Sequence, residues 1–273
     1  MSPPQWGGLV VKVPPLGDSA IQSDGVVISP PAKGRTALRT IVYVDGFNFY
    51  YGCLKRPDQR HLRWLDLESL CSFICRENNP KSEIVSVKFF TAPITSKLSA
   101  RGEASHNDQQ NYWRALEGHC PHLEIIEGSF YLAQGELHER IDGRSDIDFN
   151  KAKIKVWRPE EKQTDVNIAL HMMTDAFDRK CNQQVLVSND SDCTPVLQTI
   201  GTRFENIRLG VIAPILEGSQ KRRPSSSLSD AAHWSRRVIR QDELEAHQLP
   251  DNVTVVKKKT RIRKRPSYWS RTD

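Results

Sequence analysis

The sequence predicts an α/β protein, with a mainly parallel sheet covered by helices on both faces. Three observations point there. Short apolar, β-branched runs alternate with stretches of helix-spaced apolar residues, the pattern of parallel strands joined through helical crossovers. The runs are apolar at consecutive positions, as befits strands buried on both faces. Aspartates then follow these runs, at Asp45 in VYVDGFN and at Asp190 and Asp192 in VLVSNDSDC. In open α/β sheets that is where ligands bind, beyond the carboxyl ends of the strands.

Residues 1–37 hold six of the sixteen prolines and no periodic apolar pattern, so they read as a loosely ordered extension. Thr40–Val44 is a first buried strand, and GFNFYYGCLKR after it can form a short helix. Within Trp64–Arg76, the residues Leu67, Leu70, Cys71, Ile74 and Cys75 recur at the three-and-four spacing of a helix face. Ile84–Thr91 is a second strand, closed by Pro93. His106–His119 reads as a helix and Leu123–Ile126 as a third strand. Gln134–Asn150 is polar and rich in Asp and Gly, which marks an inserted loop or ribbon, and Lys153–Trp157 alternates like a half-exposed strand. Val166–Phe177 is predicted as a helix whose apolar face is Val166, Ala169, Leu170, Met173 and Phe177. Gln184–Val187 and Ile207–Ala213 read as strands around a helix at Thr194–Phe204. A polar stretch (SQKRRPSSSLS) precedes a helix expected at Leu228–Val238 and a basic tail. The expected division is an extension at 1–37, a catalytic-type domain at 38–215, and a helix with a basic tail at 216–273.

Four aspartates carry the chemistry: Asp45, Asp190 and Asp192 near strand ends, and Asp165 at a helix start. Each has a bland explanation as an N-cap, worth about 1 kcal/mol. Asp165 before VNIAL and Asp192 before an apolar helix suit that role. Asp45 and Asp190 resist it better, since each ends a buried strand and precedes a small residue. A doubly wound topology would aim all four into one crevice. Crowded carboxylates repel one another, and a divalent cation relieves that repulsion. Mg²⁺ takes hard oxygen ligands and keeps several waters, so a few aspartates suffice, and no neighbouring histidine or lysine base is needed.

The net charge of +6 has an address. From Pro250 onward, Lys257, Lys258, Lys259, Arg261, Arg263, Lys264, Arg265 and Arg271 face only Asp251 and Asp273, leaving the remainder formally neutral. Such a tail is either a solvated terminus or a handle for nucleic-acid phosphates. No apolar stretch reaches the roughly 18 residues that cross a membrane, and MSPPQWGGLVVKVPPLG does not read as a secretory signal. The expected setting is the cytoplasm, with the six cysteines reduced. A zinc site drawn from Cys71, Cys75, His119, Cys120 and His122 is the weaker alternative, because no Cys-x-x-Cys pair supports it. Tyr50 and Tyr51 are candidates for base stacking, whereas Phe47 and Phe49 are better explained by the core.

The segments TIVYVDGFNFYYG, KVWRPEEKQTDVNIALHMMTDAF, QVLVSNDSDCTPVLQTI and IRLGVIAP together resemble the NYN domain family, the LabA-like branch of the PIN-like nucleases. The resemblance spans Leu38 to Pro214. It implies a Rossmann-like (PIN-like) three-layer α/β/α sandwich and a Mg²⁺- or Mn²⁺-dependent ribonuclease acting on single-stranded or structured RNA. By motif position the acidic residues are Asp45, Asp165, Asp190 and Asp192. Asp45 and Asp190 would be the principal metal ligands, with Asp165 and Asp192 completing the shell directly or through water. Asn48 and Ser188 would support the site, and Lys162 could approach substrate phosphate. Two departures stand beside it: many relatives have glycine where this chain has Gln163 and Asn189. A homodimer is compatible with the sequence. The rival reading is a non-catalytic RNA- or protein-binding module that keeps the acidic pocket, and a third is a phosphatase on a similar fold.

Overall fold

The strands form where apolar runs can be covered on both sides, and the helices form where one apolar face can do the covering. The computed structural model describes residues 37–96, 99, 101–138, 153–256 and 259–270, all within the unit Thr36–Asp273. The first half of the chain order is β1 (Leu38–Asp45), α1 (Gly46–Phe49), a π turn at Tyr50–Leu54, a 3-10 segment at Pro57–Arg63, α2 (Leu67–Asn78), β2 (Ser82–Thr91), α3 (Glu103–His119) and β3 (Leu123–Glu127). A ribbon follows, β4 (Ser129–Leu137) and β5 (Ile154–Lys162), then α4 (Thr164–Phe177), β6 (Gln183–Val187), α5 (Thr194–Arg203) and β7 (Arg208–Ile212). The chain continues as α6 (Ser226–Asp230), β8 (Trp234–Arg236), α7 (Gln241–Ala246), β9 (Asn252–Val256) and β10 (Thr260–Lys264). The N-terminal extension and residues 139–152 of the predicted insertion lie outside the described residues, as do Lys257, Lys258 and Arg271.

Six strands make one parallel sheet in the order β3-β2-β1-β6-β7-β8. From β1 the chain winds outward through β2 to β3, then returns to β6 and winds the other way. The switch point therefore falls between β1 and β6, where open α/β sheets bind their ligands. Alternate residues of β1 serve opposite layers. Val42 and Val44 pack with α2 and α3 on one face, while Ile41 and Tyr43 pack with α4 and α5 on the other. Helices on both faces of a parallel sheet are what the alternation of elements predicts, and the three-layer, PIN-like form is what the family resemblance implies.

Local chemistry sets the helix starts. Asp66 caps α2, accepting from the Ser69 N–H at 2.9 Å, and the buried face is Leu67, Leu70, Cys71, Ile74 and Cys75 as the spacing predicts. Cys71 and Cys75 lie in the core, where burial raises both thiols, Cys75 to about 12. They behave as small hydrophobes. Among the described residues no group of three or more His, Cys, Asp and Glu side chains is placed to hold a metal ion as it stands, which applies to the zinc alternative and to the four aspartates alike.

Three expectations are corrected. The helix predicted at Leu228–Val238 is only the short α6, and the chain then enters β8, a sixth parallel strand. Gly210 on β7 explains the change, since a Cβ there would lie 2.2 Å from the Trp234 indole. The missing side chain makes room for the Trp234 indole against β7. The buried face of α4 is Thr164, Ile168, Met172, Asp175 and Ala176, so Val166, Leu170 and Phe177 look outward. Finally, the segment read as a basic tail is an antiparallel hairpin, β9 with β10. Val253 and Val255 are buried in the core shared with α3, and Trp269 beyond the hairpin packs against Trp64 and Tyr112.

A buried polar cluster ties α4 to the sheet. Lys88 on β2 donates to Asp175 Oδ2 at 2.5 Å, and the Tyr43 hydroxyl on β1 donates to the same oxygen at 2.9 Å. Lys180 reaches Asp175 Oδ1 at 3.1 Å. Burial alone would raise Asp175, but these donors outweigh it and hold the carboxyl below its ordinary value. His171, 3.2 Å from Lys88, is lowered by burial and by that neighbouring ammonium.

Candidate metal-binding active site

Asp45 is the last residue of β1, and Val44 beside it is in register with Val187 of β6. The chain leaves β6 through Ser188, so Asp45 and Ser188 emerge side by side at the switch point. Ser188 Oγ donates to Asp45 Oδ2 at 2.9 Å and accepts the Asp190 N–H at 3.1 Å. Asn48 binds both oxygens of Asp45, its backbone N–H to Oδ1 at 2.9 Å and its side-chain amide to Oδ2 at 2.8 Å. The carboxylate is thus oriented by three donors and only 2% exposed. Gly46 lets β2 approach the chain closely here, since a Cβ would stand 2.6 Å from the Phe90 carbonyl oxygen.

A cavity of about 130 Å³ opens at this point, with Asp45, Asn48, Asp165 and Asp190 in its wall. Asp192 is not in the wall. It follows in the 3-10 turn Ser191–Cys193 and is exposed, but its charge still reaches the site. Asp165 is pushed up to about 6, by burial first and then by Asp190, Asp45 and Asp192. Asp45 is raised as well, mainly by burial against the pull of its hydrogen bonds. The Cys193 thiol is raised to about 12 by burial and then by the same four carboxylates. The four predicted aspartates are therefore electrostatic neighbours, three around the cavity and one at its margin.

The capping roles fall the other way round from expectation. Asp45 caps α1, and Asp190 accepts the Asp192 N–H at 3.1 Å. Asp165 lies inside the first turn of α4, behind Gln163. The φ of Gln163 is 81°, the left-handed region that glycine enters freely and other residues enter at a cost of roughly 1–2 kcal/mol, which is a physical reason for the glycine that the resemblance implies there. The Asn189 amide donates to the Arg223 carbonyl at 3.0 Å and accepts the Ser225 N–H at 2.8 Å, fastening the segment ahead of α6. Lys162 ends β5 one residue before Gln163, and its side chain lies outside the described residues.

The donor set suits a hard cation. The wall offers carboxylate oxygens and no thiolate or imidazole, and the mutual repulsion of the aspartates is what a divalent charge would relieve. A hollow of about 430 Å³ lies elsewhere, between α2 and the end of α3, where His119 pairs with Asp66 at 3.3 Å and the Phe73 ring meets His247 at a 43° tilt. It contains none of the predicted aspartates, and volume alone does not mark the chemistry.

This fold and this switch-point crevice define a PIN-like domain of the nuclease superfamily. The chain belongs to the NYN domain family, whose pattern it matches over residues 39–234. Domains of this kind are typically nucleases that act on RNA and generally use divalent metals. The chain is also similar to 6-hydroxy-3-succinoylpyridine 3-monooxygenase HspA of Pseudomonas putida (strain DSM 28022 / S16), at 36% identity over 231 residues, 78% of this chain and 70% of that protein. A crystal structure of a protein of unknown function from Vibrio parahaemolyticus RIMD 2210633 aligns with 80% of this chain and 99% of its own, at 17% identity and a TM-score of 0.41. No helix among the described residues is long and apolar enough to cross a membrane.

Proposed function

We propose that the protein is a metal-dependent endoribonuclease, with Mg²⁺ or Mn²⁺ held by Asp45 and Asp190 and supported by Asp165 and, through water, Asp192. The observation that carries this reading is the meeting of Asp45, Asp165 and Asp190 around one cavity at the switch point, where burial first and the neighbouring carboxylates second raise Asp165 to about 6. When bound, the cation would supply charge neutralisation at the scissile phosphate and an activated water. Asn48 and Ser188 hold both oxygens of Asp45 in fixed directions, so the ligand needs no reorganisation. Asp165 is held up to about 6 by burial and then by the neighbouring carboxylates, and a bound cation would draw it back down, so metal binding and loss of the Asp165 proton are coupled.

The test is incubation of a labelled single-stranded RNA with the full chain. Cleavage is expected with Mg²⁺ or Mn²⁺, absent with EDTA, and restored by added metal. Cleavage undiminished by EDTA, or none with either metal, would overturn the reading. The name of the Pseudomonas relative and its 36% identity favour a second reading, oxygenation of a hydroxypyridine. Oxygen consumption on adding that substrate with an electron donor, without RNA cleavage, would select it.

The basic hairpin supports RNA as the substrate. Val253 and Val255 anchor β9, which presents β10 with Arg261 and Lys264 exposed. Arg263 beside them is lowered by burial and by Arg114 and Arg261, the sign of crowded positive charge. Arg60 and Arg101 stack on Tyr268 at 4.3 and 3.7 Å, fixing the chain after the hairpin. Changing Lys259, Arg261 and Lys264 together to Gln should flatten the salt dependence of RNA binding. Each lost phosphate contact lowers the slope of log affinity against log salt by roughly 0.7 for a single strand. An identical slope in the triple variant would remove the hairpin from the RNA site.

A further inference from the structure

A cavity walled by carboxylates repels a polyanion, so an RNA strand needs cations close by to approach it. Among the described residues no cation lines the crevice wall. They stand on its rim. Phe47 and Asn48 belong to the wall, and the chain runs from them into the π turn Tyr50–Leu54 and on to Lys55 and Arg56, both exposed. Between Gly46 and Trp64 the cations Lys55, Arg56, Arg60 and Arg63 face one carboxylate, Asp58. A further cation arrives from the loop after β7. A Cβ on Gly52 would stand 1.7 Å from the Pro214 carbonyl oxygen and 3.7 Å from an Arg222 guanidinium nitrogen, so this loop is pressed against the π turn. Cys53 in that turn is pushed up to about 12 by burial, against the pull of Arg222 and Arg56, which places both guanidinium groups near it. The same loop is fastened to the crevice, because the Arg223 carbonyl accepts the amide of Asn189, the neighbour of Asp190.

The way these cations are held favours a phosphate. Lys55 Nζ lies 4.4 Å from the centre of the Tyr51 ring, and the Arg63 guanidinium lies over Tyr50 at 5.4 Å. A carboxylate partner would fix a cation by cancelling its charge. A tyrosine face fixes it and leaves the charge for another anion. We propose that Lys55, Arg56 and Arg222 form a phosphate grip on the rim of the crevice, which holds the RNA backbone beside the scissile bond and seats that bond over the aspartates. Tyr51 is the positioning residue for Lys55. The grip rests on the reading of the crevice as an RNA-cleaving site and adds the residues that bring the strand to it. Its contacts are with phosphates alone, so it holds RNA without regard to base sequence. Phosphates next to the scissile one keep their charge as the reaction proceeds, so the grip acts on binding and not on the chemical step.

Fluorescence anisotropy of a labelled single-stranded RNA with the full chain in EDTA reads binding apart from cleavage. Changing Lys55, Arg56 and Arg222 together to Gln should weaken binding and lower the slope of log affinity against log salt by about 2, since each phosphate contact contributes roughly 0.7. The same change at Lys81, Arg203 and Arg208 removes equal charge at the opposite, amino edge of the sheet, where β2 and β7 begin. That variant should keep the wild-type slope. Y51L should weaken binding about two- to fivefold, and Y51F should not, because phenylalanine keeps the ring face under Lys55. With Mg²⁺ the Lys55, Arg56 and Arg222 variant should cleave with a raised KM and a nearly unchanged kcat. Should that variant melt lower than the wild type, K55Q with R56Q alone decides, both side chains being exposed. A wild-type slope in the grip variants, or an equal fall in the amino-edge variant, overturns the grip and leaves the nuclease reading to its own test. A wild type that shows these slopes yet cleaves no RNA supports the grip and overturns the nuclease reading.

Discussion

If Asp45 is the direct metal ligand proposed above, Asp45→Asn is expected to reduce RNA cleavage by at least about a hundredfold, more than the 10–100-fold typical of losing an outer-shell partner. The fold should survive. Asp45 is 2% exposed, and burial raises its pKa above the ordinary 3.8. A carboxyl whose folded pKa is raised stabilises the native state below its unfolded pKa, and that contribution is lost as pH rises through the folded value. At pH 7 without metal, the ionised Asp45 is therefore a liability that asparagine lacks. The metal-free variant should melt no lower than the wild type at pH 7, with any advantage shrinking as pH falls towards 4. Two donors, from Asn48 and Ser188, meet Oδ2 in the wild type. The Asn48 amide can flip and the Ser188 hydroxyl can rotate to receive an amide instead. Thermal melts at both pH values, alongside cleavage assays, check the two halves separately. Full activity in the variant would remove Asp45 from the site.

The sequence was most legible where one signal decided one thing. β1, β2, β6 and β7 are apolar runs with no competing interpretation, and the aspartates after β1 and β6 follow directly from them. It was least legible where two partners decide jointly. The helix at α4 has apolar residues on both sides, so its period identifies a helix without choosing which side meets the sheet. Ile168 and Met172 win because they fit against Tyr43 and Leu186 in one cluster. β8 carries no apolar run at all, and its place depends on the space left by Gly210 some twenty residues earlier. The capping roles needed backbone angles: Asp45 and Asp190 sit in extended conformation at φ −73° and −85°, whereas Gln163 starts α4 ahead of Asp165. The hairpin in the basic segment has a readable sign, the alternation of Val253 and Val255 in NVTVV, but the charge run beside it has the composition of a solvated tail. Lys88 was a similar clue, a lone charge in the apolar strand SVKFF that calls for a buried partner.

That partner is the subject of the largest expected effect on stability. Asp175→Ala should cost about 3–5 kcal/mol, because removing one member of a buried ion pair strands the other. Lys88 is 8% exposed and Asp175 1%, so neither charge has water to fall back on. The Tyr43 hydroxyl would lose its acceptor at the same time. Adding Lys88→Met should recover much of the loss, since a long apolar side chain replaces the stranded ammonium at similar volume. Urea denaturation of the wild type, the single variants and the double variant measures the coupling directly. Acid titration gives an independent check. The Asp175 carboxyl is held below its ordinary 3.8, so its contribution is present above that value and is lost as pH falls through the lower, folded value. The double variant should lack that component of acid unfolding. Asp175 and Asp165 share α4, so the single variant should also weaken cleavage by letting the helix start drift from Asp45, and the double variant should restore both. Equal stabilities across all four proteins at pH 7 would mean that Lys88 and Asp175 do not hold α4 to the sheet.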